Sequence, residues 1–175
     1  MRRDYVEFQE RSVPLAYLIT VRSYGTWLHG DERGSMDRRE YNRYGDPKIA
    51  ASALRVSRDR NLMRAEPFAF NATIRQNIEA AVREVCENRL YLLYAINVRT
   101  NHAHIVASAS TKPEFMMNSF KSYATRKLRS EDLIGESIKV WVRHGSTKYL
   151  WTEQHIATAI EYVVNGQGGE LPAFD

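Results

Sequence analysis

The chain has 175 residues, 43% of them hydrophobic, which suits a single domain with one core of ordinary size. Twenty-five Lys and Arg against 21 Asp and Glu leave a formal charge of +4 and a pI near 9.2, a balance compatible with a polyanionic partner. The single cysteine, Cys86, excludes an intramolecular disulfide framework or a Cys-based zinc site, and no apolar run approaches the ~18 residues of a membrane span, so a soluble, cytoplasmic protein with no membrane partner is expected.

Pro14 to Val21 is apolar, β-compatible and without helical caps, which predicts a first, buried and central strand. From Arg22 to Pro67 the periodicity is weak and the composition dense in Arg and Tyr, with Gly25, Gly30, Gly34, Gly45 and Pro47, so a long loop insertion is expected. Within it, Tyr24 to Gly30 is too aromatic for simple disorder: Trp27 and Leu28 either cap the core or stack on nucleic-acid bases. Asn71 to Asn88 places Ile74, Ile78, Val82 and Val85 on one face behind Asn71 as N-cap, the pattern of an amphipathic helix.

Leu90 to Asn97 and Ala103 to Ala107 are apolar and separated by the polar Arg99-Thr100-Asn101, which predicts two strands and a tight turn, with His102 and His104 opening the second strand. A second helix follows Thr111-Lys112, with Pro113 in its first turn. Met116, Phe120, Tyr123, Ala124 and Leu128 form its apolar stripe, and Lys121, Arg126, Lys127 and Arg129 its exposed side. A short strand is expected at Lys139 to Arg143, then a turn at Gly145-Ser146-Thr147. The last helix runs from Thr152, as cap, to Asn165. Ile156, Ile160, Val163 and Val164 share a face, and Tyr162 points away from it.

The order strand, helix, strand, strand, helix, strand predicts an α+β, ferredoxin-like split βαβ fold: an antiparallel sheet with helices on one face and an added C-terminal helix carrying Tyr162. On a strand, residues two apart share a face, so His102 and His104 can grip one metal ion while Ala103 turns into packing. A histidine-triad nucleotide hydrolase would need a further His where Val106 stands. A cupin-like site would need many short strands, which the helical stretches here deny.

Asn101-His102-Ala103-His104-Ile105-Val106 resembles the HUH motif, and Ile160 to Gly168 resembles the C-terminal tyrosine helix of single-tyrosine HUH transposases, the REP-associated and insertion-sequence enzymes. Leu18 to Val21, Tyr24 to Gly30 and Phe120 to Ala124 are also similar to family segments. The resemblance implies a single-stranded DNA transposase or endonuclease that cleaves and rejoins DNA through a 5′-phosphotyrosine on Tyr162. It implies Mg2+ or Mn2+ held by His102 and His104, single-stranded or hairpin DNA as partner, and a homodimer.

The family's third ligand, Gln or Asn one turn past the tyrosine, falls here on Gly166. In an unbroken helix Asn165 lies about 60° from Tyr162 and Gln167 about 140°. A left-handed Gly166 would let the chain turn back, and on that ground Gln167 is expected as ligand, with Asn165 the alternative. Arg22, Tyr24, Trp27 and Arg33 of the long loop, with Lys121 and Arg126 of the second helix, are the expected DNA contacts. The competing functions are a non-catalytic single-stranded nucleic-acid-binding module of the same fold and a metal-dependent phosphoesterase.

Overall fold

The computed structural model describes residues 13–32, 50–169 and 171–172. Strands β1 (Ala16–Ser23), β2 (Leu92–Val98), β3 (His102–Ser108) and β4 (Trp141–Leu150) form one sheet in the order β2-β3-β1-β4, every neighbouring pair antiparallel. Four helices are described: α1 (Ala53–Asn61), α2 (Ala72–Asn88), α3 (Pro113–Ser130) and α4 (Glu153–Asn165). With β1 and β3 central, this is the split βαβ arrangement that the order of elements predicts.

The helix starts follow local chemistry. The Asn71 side-chain oxygen accepts from the Ile74 amide at 2.9 Å, Pro113 opens α3, and Thr152 Oγ1 accepts from the His155 amide at 3.1 Å. On one face of the sheet, Ile19, Val21, Ala103, Ile105 and Val98 meet Ile78, Val82 and Val85 of α2 and Met116, Phe120, Ala124 and Leu128 of α3. Each large side chain fully buried in this main core contributes about 1.5–3 kcal/mol. Among the described residues the opposite face is covered by α4, where Ala159 and Val163, flanked by Ile156 and Ile160, pack on Ala16, Leu18, Ala95, Val106 and Leu150.

Several local expectations change. The segment from 22 to 67 is not all loop: α1 forms within it, capped by Ser52 and with no buried residue, which is why apolar periodicity does not reveal it. Gly145-Ser146-Thr147 is not a turn but the middle of β4, with Gly145 opposite Val21 and Thr147 opposite Ile19. A Cβ on Gly145 would run into the Thr20 carbonyl oxygen and come within 2.5 Å of Met117 Sδ, so the glycine serves close approach of helix and strand. On α4, Val164 is 56% exposed and the buried place belongs to Ala159.

Lys121 is not on the exposed side of α3. The β1–β4 register shifts between Val21 and Ser23, and the Lys121 ammonium donates to the carbonyls of Val142 (3.0 Å), Arg143 (3.4 Å) and His144 (3.1 Å) within that irregularity. Three donors on one flexible stem suit three carbonyls taken out of the ladder.

Candidate active site

Strand alternation places one row of side chains across the α4 face of the sheet: Asn97 of β2, His104 of β3, Thr20 of β1 and Ser146 of β4 are successive register partners. One step along, His102 stands opposite Arg22. The imidazoles of His102 and His104 lie 4.7 Å apart between ring centroids, and Tyr162 of α4 brings its ring to 5.3 Å from that of His104. Tyr162 is 45% exposed while His104 is 8% exposed, so the phenol borders solvent where the imidazole does not.

Both imidazoles are held by Nδ1. His102 Nδ1 donates to Asn101 Oδ1 at 2.7 Å, and His104 Nδ1 lies 2.8 Å from Thr20 Oγ1. This makes Nε2 of each ring the atom that could hold a metal, in the outer-shell arrangement that orients metal-binding histidines. Gln167 Oε1 lies 3.3 Å from His102 Nε2, and its own Nε2 donates to the Tyr162 carbonyl at 3.0 Å, which fixes the amide's orientation. With Nδ1 of His102 donating, its Nε2 and the Gln167 oxygen face each other as two acceptors, a pairing that a cation satisfies.

Burial is the main cause that pushes His104 down from 6.5 to about 4; the neighbouring His102 and Arg22 act in the same direction, Gln167 opposes them and Lys148 adds to them. A neutral imidazole is the form that binds metal. Among the described residues no group of three or more His, Cys, Asp and Glu side chains gathers as a metal cluster. The donor set here is two imidazoles and an amide oxygen, which fits a borderline divalent ion such as Mn2+ better than an all-oxygen site would.

Gln167 reaches His102 by a route other than a left-handed Gly166. Gly166 has φ −87°, and the positive φ belongs to Gly168, at +83°. A Cβ on Gly166 would sit 2.7 Å from the Tyr162 carbonyl oxygen and 3.0 Å from Cδ2 of its ring, so this glycine makes room for the tyrosine. Asn165 turns away and donates to Glu161 at 2.9 Å.

The expected DNA contacts divide. Arg22 stands on the His face with its guanidinium 4.5 Å from the centre of the Trp27 ring, so these two join the site. Tyr24 is tied elsewhere: its hydroxyl accepts from the Arg64 amide at 3.1 Å, and Lys139 lies over its ring at 4.2 Å. Arg126 is on α3, across the sheet, stacked at 4.4 Å on Tyr123 and lining an open groove of about 670 Å3 with Ser122, Thr125 and Arg129. Lys121 is committed to carbonyls, and Arg33 lies outside the described residues. Sequence reasoning missed Thr20 and Asn97 as site residues; their one signal was a polar side chain inside an otherwise apolar strand.

The chain belongs to the family of IS200-like transposases, the single-tyrosine HUH family, with a match over residues 63–165 that takes in α2, β3 and the whole of α4. It is also similar to a solved REP-associated tyrosine transposase bound to a REP hairpin, at 12% identity and a TM-score of 0.46. That match covers 86% of this chain, which spans 65% of the other. No curated protein matches the sequence.

Proposed function

We propose that this chain cleaves and rejoins single-stranded DNA, with Tyr162 as nucleophile and His102, His104 and Gln167 as the holders of a divalent cation. The observation that carries this reading is the meeting of Tyr162, the two imidazoles and the Gln167 amide at one place, although they come from β3, α4 and the chain beyond it. Bound there, Mg2+ or Mn2+ would neutralise charge on the scissile phosphate and favour the ionised phenol.

The protein's own groups do the rest. The Tyr162 oxygen attacks phosphorus, the bond from phosphorus to the 3′ oxygen breaks, the phenol gives up a proton and the departing 3′ oxygen takes one up. The product is a 5′-phosphotyrosine and a free 3′-hydroxyl, and the conserved phosphodiester energy allows rejoining. Arg22, seated on Trp27 beside the His pair, orients the anionic strand. Asn101 and Thr20 keep the imidazoles turned inward. The partner is single-stranded or hairpin DNA; the homodimer rests on the family resemblance and the cytoplasmic location on the cysteine usage and apolar-run lengths of the sequence, and among the described residues no helix is long and apolar enough to cross a membrane.

The test is incubation with Mn2+ and single-stranded oligonucleotides containing hairpins, followed by denaturing electrophoresis for a covalent protein–DNA adduct. Tyr162→Phe loses the adduct and keeps DNA binding. An adduct that survives Tyr162→Phe but not Tyr123→Phe or Tyr149→Phe overturns the assignment. Binding with no adduct from the wild type favours the non-catalytic nucleic-acid module instead.

A further inference from the structure

The third donor of the site lies beyond the last helix. α4 ends at Asn165, and Gln167 belongs to a stretch whose next residues, Gly168 and Gly169, are exposed and have no side chain to pack. A cavity of about 380 Å3 lies between α2, the end of β2 and Gly168, Gly169, Leu171 and Pro172. What crosses it is polar. Arg99, three residues before His102, donates through Nη1 to the Gly169 carbonyl at 2.9 Å. Arg75 of α2 donates to the Pro172 carbonyl. Asn97, the register partner of His104, donates to the Val163 carbonyl at 2.9 Å and so fixes the end of α4 itself.

We infer that Arg99 and Arg75 are positioning residues of the metal site: they clamp the carbonyls of Gly169 and Pro172, and thereby hold Gln167 against His102. Both guanidinium groups end on backbone oxygens, so the clamp reads the path of the tail and not its side chains. The turn at Gly168, with φ +83°, lets the chain pass from Gln167 to the Arg99 contact. Because Arg99 sits in the same short turn that launches His102, the ligand strand and the tail that supplies the third ligand share one anchor. This deepens the proposed metal-dependent reading and rests on it.

The experiment is calorimetric titration of the metal-free full chain with Mn2+ alone, without DNA. Loss of an outer-shell partner lowers metal affinity by about 10–100-fold, and Arg99→Gln is expected near the lower end of that range, with Arg75→Gln added to it approaching Gln167→Ala. The thermal midpoint stays near that of the wild type. In a Gln167→Ala background, Arg99→Gln causes no further loss, because there is no ligand left to position. An unchanged Mn2+ affinity in Arg99→Gln, or a loss that simply adds to that of Gln167→Ala, overturns the clamp while leaving the metal site standing. Arg99→Gln that weakens DNA binding at unchanged Mn2+ affinity also overturns it, in favour of a phosphate contact. If His102→Ala and Gln167→Ala themselves bind Mn2+ as the wild type does, the metal reading and the clamp fall together.

Discussion

His104 is the residue on which the environment acts most. Its pKa of about 4 in the fold, against 6.5 in an unfolded chain, means that between these values the unfolded state binds the extra proton. The metal-free protein therefore loses stability as pH falls from about 6.5 toward about 4, and the loss from this group levels off below that. Urea midpoints from pH 7.5 to 4.5 should show this acid limb, and His104→Asn should flatten it. A ring resonance titrating near 6.5 would contradict the buried, neutral imidazole. The His pair and Tyr162 were legible from the sequence because strand alternation and a helix's apolar stripe dictate where side chains point. Lys121 was not. A cation beside Phe120 and Ala124 reads as a solvated edge, and only the shifted register of β4 creates the carbonyls that bury it.

Among the elements, β4 carries the largest departure from expectation. Gly-Ser-Thr is turn composition, yet here the glycine lets β4 lie against β1 under α3, a tertiary demand that overrides local preference. Gly145→Ala is expected to destabilise the protein by about 1–3 kcal/mol, since the added methyl meets a backbone carbonyl that cannot step aside. Chemical denaturation measures it, and a change within ~0.5 kcal/mol, the scale of an ordinary surface substitution, would show that strand and helix can separate without cost. α1 escapes sequence reading for the opposite reason: with no buried residue it leaves no periodic trace, while its Ser52 cap is visible only once the boundary is known. α2 matches its expected bounds closely and α3 starts at Pro113 as expected, because burial writes the 3.6-residue period into the sequence.

At the scale of the molecule, the sheet divides the cations into two sets. Arg22 shares a face with the His pair and Tyr162, whereas Arg126 belongs to the α3 side. Single-stranded DNA lying across the active face should be sensitive to Arg22→Ala, with affinity lowered and the slope of log affinity against log salt reduced by about 0.7 for one lost phosphate contact. Lys121→Gln should leave that slope unchanged, because the ammonium is engaged with carbonyls. Fluorescence anisotropy at several salt concentrations separates the two variants, and an equal fall in slope would put Lys121 on the DNA after all. The strand order was readable from the sequence as a whole, but the side of the sheet on which each loop cation falls was not, since that depends on a bulge at Val21–Ser23 and on chain paths with no periodicity.

The unequal division of apolar packing between the two faces of the sheet also bears on how the protein moves. α4 is fastened by two buried side chains, Ala159 and Val163, and the half-buried Ile156 and Ile160, while α2 and α3 grip the other face with fully buried Phe120, Ile78, Met116 and Leu128. Of the three helices packed on the sheet, the arm bearing the tyrosine is thus the least costly to detach, and it can open as a local unit while the main core stays closed. Amides of α4 should exchange with solvent deuterium ahead of those of α2 and α3, and saturation with Mn2+ should slow α4 selectively by tying Gln167 to the His pair. Uniform exchange across all three helices would mean that the tyrosine can leave the sheet only when the whole fold does.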